Sequence, residues 1–225
     1  EIAQCLVGSE MCIRDRDRSN RTRHIFVQKS DAYEKLLALG APSEKLHKLG
    51  FIYQYERKNT FGKDVLICTN SENVAHAHQI TKALPQLHFH IAAITEMSTK
   101  LLTVGAYDNV TMYPCVKTSI LDELFHKCDL YLDINHEGEI VSAVSRAFLN
   151  DQLIYAFKET LHNTVYVAKE HIYAEDNAME LIAQLQRVTQ DAAYMEQELD
   201  VQKAGALAET EEHFKEIIEN TELLW

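Results

Sequence analysis

The residues best placed to do chemistry are Asn135-His136-Glu137-Gly138. This polar turn lies between an apolar run, Leu130–Ile134, and a stretch with helical spacing. Ligands of open α/β sheets sit beyond the carboxyl ends of strands, so such a loop could line a ligand pocket. The structural alternative is that Asn135 caps the following helix, Glu137 favours its positive end and His136 is solvated. A second polar loop, Asn70-Ser71-Glu72-Asn73, follows another apolar run. From Thr69 to His76 it has no arginine or lysine, and Glu72 would repel a phosphate, which leaves only a helix N-terminus to draw an anion. His88 and His90 share a strand face but lack a third ligand at any recognisable metal spacing. His76 and His78, two apart, cannot share a helix face. H-E-G-E is not H-E-x-x-H, and the chain has no G-x-S-x-G, P-loop or G-x-G-x-x-G. No catalytic residue, metal site or cofactor is expected.

Strands and helices in alternation must position these loops. Asp64–Thr69, Phe89–Ile94, Val110–Tyr113, Leu130–Ile134 and Leu153–Phe157 read as buried strands. Between them, Val74, Ala77, Ile80 and Leu84 line one helical face, which Pro85 ends. Lys100–Leu102 is a short helical turn. Thr118 or Ser119 caps a helix carrying Ile120, Leu121, Leu124 and Phe125. From Glu139 a further helix places Ile140, Val141, Val144, Ala147 and Phe148 on one face. Strand–helix–strand units of this length imply an α/β fold, a Rossmann-like doubly wound parallel sheet. Upstream, His24–Gln28 is a strand, Ser30 or Asp31 caps a helix over Ala32–Leu39 that stops at Gly40, and Leu49–Tyr55 returns extended. The polar segment Glu56–Lys63 is taken as a domain junction. Downstream, Val165–Val167 is a candidate strand, and Asp176 or Asn177 caps a helix with Leu181, Ile182, Leu185 and Val188. Ala192–Leu224 reads as one or two long acidic helices.

Composition narrows the function. An apolar fraction of 46% suits a globular core, and no stretch of 18 apolar residues exists to cross a membrane. A net charge of −12 argues against nucleic acid. The charge is concentrated, with ten acidic residues against two lysines from Thr189 to Trp225; such a block is a solvated face or a means of steering a partner. The five cysteines include no C-x-x-C, and Cys68, Cys115 and Cys128 lie in or beside strands, as reduced buried thiols do. Leu6–Asp15 resembles the translation of a sequencing adapter. Residues 1–16, with Cys5, Cys12, Arg14 and Arg16, are therefore expected to be non-native, and the chain a fragment.

The βαβ unit Cys128–Phe157 resembles the donor-binding unit of GT-B glycosyltransferases. There a loop glutamate and a second glutamate eight residues on hold a nucleotide sugar. Here the first is Glu137, but the second position is Ser145, followed by Arg146. The family's arginine and lysine after the first strand of the second domain are also missing, between Thr69 and His76. YLDINHEGEI and DVLICTNSENV resemble more closely the non-catalytic stabilising subunits, or glycosylation chaperones, of the accessory Sec system's O-GlcNAc transferase. The resemblance spans Arg23–Val188. It implies that residues 17–62 close a first Rossmann-like domain, 63–188 form a second, and 189–225 are C-terminal helices crossing back. The expected partners are a catalytic O-GlcNAc transferase and a serine-rich repeat acceptor. The resemblance further implies a cytoplasmic location, with peripheral attachment to the membrane's inner face by analogy. Asn70, Ser71, Glu72, Asn135, His136, Glu137 and Ser145 would then line a vestigial donor or acceptor-peptide pocket. The alternative is an active retaining glycosyltransferase using a nucleotide sugar, with Glu137 on the sugar or ribose.

Overall fold

The computed structural model describes residues 24–27, 30–49, 61–70, 72–206 and 211–222. The adapter-like segment with Cys5 and Cys12, most of the junction Glu56–Lys63, Ser71, and the expectations for Gly50–Tyr55 and Leu223–Trp225 lie outside them. The chain divides into two compact units, Glu1–Ile52 with Leu207–Trp225, and Tyr53–Ala206.

In the first unit, β1 (Ile25–Val27) leads to α1 (Ser30–Ala38), a 3₁₀ turn (Ser43–Lys45) and β2 (Leu46–Lys48), which pairs in parallel with β1. Helix α1 begins at Ser30, ahead of the expected Ala32, and β2 precedes the expected extended segment Leu49–Tyr55, most of which lies outside the described residues. Gly40 ends α1 as expected. At φ +86° its N–H reaches the Leu37 carbonyl and that of Ala41 reaches Leu36, both at 3.0 Å. This Schellman closure favours glycine because no Cβ opposes the left-handed backbone.

The second unit holds β3 (Asp64–Thr69), α2 (Ala77–Ala83), β4 (His88–Ala93), α3 (Thr99–Leu102), β5 (Val110–Tyr113) and α4 (Thr118–Lys127). It continues with β6 (Leu130–Asp133), α5 (Ala143–Leu149), β7 (Leu153–Phe157), β8 (Ile172–Tyr173), α6 (Ala178–Gln190) and α7 (Ala192–Ala206). A last helix, α8 (Glu211–Glu222), falls in the first unit. The strands form one sheet, β5-β4-β3-β6-β7-β8, with every pair parallel. One core joins Val65, Ile67, Phe89, Ile91, Leu132 and Tyr155 on the strands to Ile80, Leu84, Leu181, Leu185, Met195 and Leu199 on the helices. The intervening positions Leu66, Cys68, Tyr131 and Ile154 are equally buried, together with Leu124, Phe125, Val144 and Phe148 from α4 and α5. Burial on both faces explains why these strands read as unbroken apolar runs.

Several expected boundaries shift. Val165–Val167 is not a strand, because the Val165 N–H bonds the Asn163 side chain at 3.0 Å and the chain turns there; the sixth strand comes at Ile172. Thr118 is the first residue of α4, after Lys117 with no side-chain cap, and Ile120 is exposed. Asn177 precedes α6 but makes no capping bond. Cys68 and Cys128 are buried, and burial pushes the Cys68 thiol far up, whereas Cys115 is exposed.

The helix expected from Glu139 starts only at Ala143, because Val141 and Ser142 are left-handed, with φ +43° and +53°. Val141 is consequently 48% exposed instead of facing the core. A β-branched residue in this region is strained by about 1–2 kcal/mol, whereas asparagine tolerates it. Val141→Asn should therefore stabilise the unit by about 1 kcal/mol in urea unfolding. A loss of stability would show that the valine side chain packs.

Candidate functional site

Sheet order reverses between β3 and β6, and the crevice at such a switch point is where open α/β sheets bind ligands. Both polar loops meet there. Val74 and Asn135 form an antiparallel bridge; the Ala75 N–H bonds the Ile134 carbonyl at 2.8 Å and the His136 N–H that of Asn73 at 2.9 Å. The loops thus close on each other through their own backbones.

Asn135 is buried and does not cap a helix. Its side-chain oxygen accepts from Thr69 Oγ1 at 3.1 Å and from the Glu137 N–H at 3.3 Å. Its nitrogen donates to the Glu137 and Gly138 carbonyls. Asn70 also donates to the Gly138 carbonyl, at 3.1 Å. Asn73 donates to Glu137 Oε1 at 3.2 Å rather than capping α2, whose preceding residue His76 is left-handed. Glu137 does not serve the helix end either; Glu139 does, accepting the Val144 N–H at 2.9 Å. His136 is paired with Glu175 at 3.0 Å rather than merely solvated. Glu72 is exposed. Ser145 turns back to the Ser142 carbonyl at 3.0 Å. The structure therefore brings together Asn70, Asn135 and Glu137, while Ser145 closes a local turn of α5 and Ser71 lies outside the described residues.

Sequence reasoning missed Asp133 and His162. Asp133 is 1% exposed at the end of β6. Its two oxygens accept the His162 backbone N–H at 2.8 Å and His162 Nδ1–H at 2.6 Å, and its carbonyl accepts Thr160 Oγ1 at 2.6 Å. His162 Nε2–H donates to the Glu137 carbonyl. The Asp133 hydrogen bond, opposed in part by burial, pushes His162 up to about 9. The available signal was a lone aspartate inside an apolar strand, since a buried carboxylate needs a partner.

Arg146 is engaged elsewhere and Lys158 is outnumbered. Arg146 pairs with Asp122 and lies over the Phe125 ring at 4.2 Å, on the α4 side. Beside the crevice, an open hollow of about 530 Å³ is lined by His76 and Lys158 against Glu159, Glu175 and Asp176. His88 and His90 do share a face, with rings 4.7 Å apart, but at the amino end of the strands, where His90 bonds Asp64 at 2.7 Å and Tyr113 at 3.0 Å. Among the described residues no His/Cys/Asp/Glu group is arranged to hold a metal. No described helix is long and apolar enough to cross a membrane.

The doubly wound sheet, with its paired loops at the switch point, has the fold of the GT-B glycosyltransferases. The chain belongs to the GftB/GlyA-F C-terminal domain family, whose model matches residues 65–202. It is 37% identical over 202 residues to the UDP-N-acetylglucosamine–peptide N-acetylglucosaminyltransferase stabilizing protein GtfB of Streptococcus agalactiae, covering 89% of this chain and 45% of that protein. It matches a chain of the GtfA/B complex bound to UDP and GlcNAc with a TM-score of 0.73 at 34% identity, over 88% of this chain and 45% of that one. Glycosyltransferase GlyF of Streptococcus pneumoniae serotype 4 is 38% identical over 106 residues, 47% of this chain and 27% of that protein. The chain spans less than half the length of these relatives. The resemblance to the stabilising-subunit family is borne out.

Proposed function

We propose that the protein carrying this chain is a non-catalytic stabilising subunit of a protein O-GlcNAc transferase. It would hold a serine-rich repeat acceptor beside the catalytic subunit, in the cytoplasm, at or near the inner face of the membrane, ahead of accessory Sec export. The observation that carries this reading is the crevice. A pyrophosphate leaving group needs fixed positive charge where negative charge grows. Here no lysine or arginine stands between Thr69 and His76, Glu72 and Glu137 are carboxylates, and the two loops bond each other. An amide-lined crevice, in which the Glu137 carboxylate is held by Asn73, suits the neutral hydroxyls of an extended serine-rich chain better. Similarity along most of this chain to a protein named as a stabilising protein supports the same reading.

The match to a protein named as a glycosyltransferase favours a second reading, an active retaining enzyme with a divergent clamp. Co-purification with a candidate catalytic transferase, followed by sugar transfer to a serine-rich peptide, separates the two. The protein should be inert alone, bind no nucleotide sugar, and raise its partner's solubility and transfer. Glu137→Ala should leave transfer by the complex nearly unchanged. Transfer by the isolated protein, lost in that variant, would instead establish the enzyme.

A further inference from the structure

His162 has a geometry that only its charged form can satisfy. Nδ1 faces the Asp133 carboxylate and Nε2 faces the Glu137 carbonyl. Neither acceptor carries a hydrogen, so both ring nitrogens must donate, and the ring is an imidazolium. It bridges the carboxyl end of β6, the loop after it and the segment after β7. The Glu137 carbonyl it grips also accepts from Asn135, and the neighbouring Gly138 carbonyl accepts from both Asn135 and Asn70. These donors fix the loop up to the left-handed pair Val141–Ser142, a conformation that persists only where its surroundings over-determine it. The charged groups acting on His162 are Asp133 on β6 and Glu139 beyond the loop, both negative. Its charge is thus used internally and is not offered to a ligand.

We infer that His162 is a positioning residue that latches the Asn135–Gly138 loop at the switch point, setting the shape in which the crevice meets a neutral, hydroxyl-rich polypeptide. This rests on the acceptor-holding reading above. The latch acts through the Glu137 carbonyl and not through its side chain, so it survives Glu137→Ala. Loss of one ring proton forces the imidazole to release one of its two acceptors, and the loop loosens.

The test uses the protein in complex with its transferase and, as probe, a serine–alanine repeat peptide with blocked ends and no titratable group. Affinity of the unaltered protein should fall about tenfold as pH rises through about 9, while His162→Gln should already be about tenfold weaker at neutral pH and flat across the range. Amide exchange over residues 135–140 should rise in step. Unchanged affinity and exchange in His162→Gln, or a flat profile in the unaltered protein, would overturn the latch. If the unaltered protein binds no peptide, the acceptor-holding reading fails, and the imidazole's own NMR titration in this chain judges the latch. A midpoint near 9 supports it, and one at the ordinary histidine value sinks it. The unaltered protein's pH profile and NMR titration do not depend on the variant folding.

Discussion

Replacing Lys203 with alanine is expected to destabilise the second unit by about 3–5 kcal/mol, the usual cost of leaving a buried charge without its partner. Lys203, on α7, is 7% exposed and its ammonium pairs with Asp151, which is 4% exposed. Asp151 sits at φ +58° in the turn between α5 and β7. The adjacent Gln202 works on the same seam. Strand β8 pairs only with Ala156 and Phe157, and the Ile154 N–H is met instead by the Gln202 side-chain oxygen at 2.8 Å. The Gln202 nitrogen returns to the Gln152 carbonyl at 2.8 Å, and Gln152 donates to the Phe125 and Cys128 carbonyls. Helix α7 therefore closes an open sheet edge, and removing Lys203 should loosen all of it. In a unit of this size the loss is roughly 10 °C in Tm, readable by thermal melting, with faster amide exchange over residues 153–155. Lys203→Met combined with Asp151→Asn should recover most of the loss, because the charge is then gone and asparagine tolerates the backbone. A single-variant cost below about 1 kcal/mol would mean that water reaches Asp151 and the pair is effectively on the surface.

The second large effect is the dependence of stability on pH at the Asp133–His162 pair. His162 titrates higher in the folded protein, at about 9, than in the unfolded chain, where the ordinary value near 6.5 applies. A raised folded value stabilises wherever the ring is charged in the fold and would be neutral outside it. The contribution is therefore complete below about pH 6.5 and is lost as pH rises through about 9. The shift corresponds to at most about 3 kcal/mol; because the side chain is still 15% exposed, about 2 kcal/mol is the expected size. Urea unfolding of the unaltered chain and of His162→Gln between mildly acidic and alkaline pH isolates it. The stability difference between them should shrink from about pH 6.5 upward and be nearly gone above about pH 9. A difference that grows towards alkaline pH would invert the assignment.

The alternation of apolar runs with helix-spaced stretches was sufficient to place five strands of the second unit and the helices between them. Strands buried on both faces, and helices with one apolar face, carry that information locally. Family words such as YLDINHEGEI identified the branch, and the missing lysine and arginine after Thr69 could be read directly. The tertiary structure decided what the polar residues do. Asn135 looked like a helix cap and proved to be a cross-loop anchor. Val141 looked like core and proved to be exposed and left-handed. Asn177 stood in the right place and capped nothing. His162 has no local sequence signal, although it bonds both the Asp133 carboxylate and the Glu137 carbonyl. Hydrophobic periodicity is written into neighbouring residues because burial is a property of a face. The partner of a buried carboxylate is one residue 29 positions away, which donates through both its backbone and its ring, and which residue arrives there depends on how the sheet is ordered.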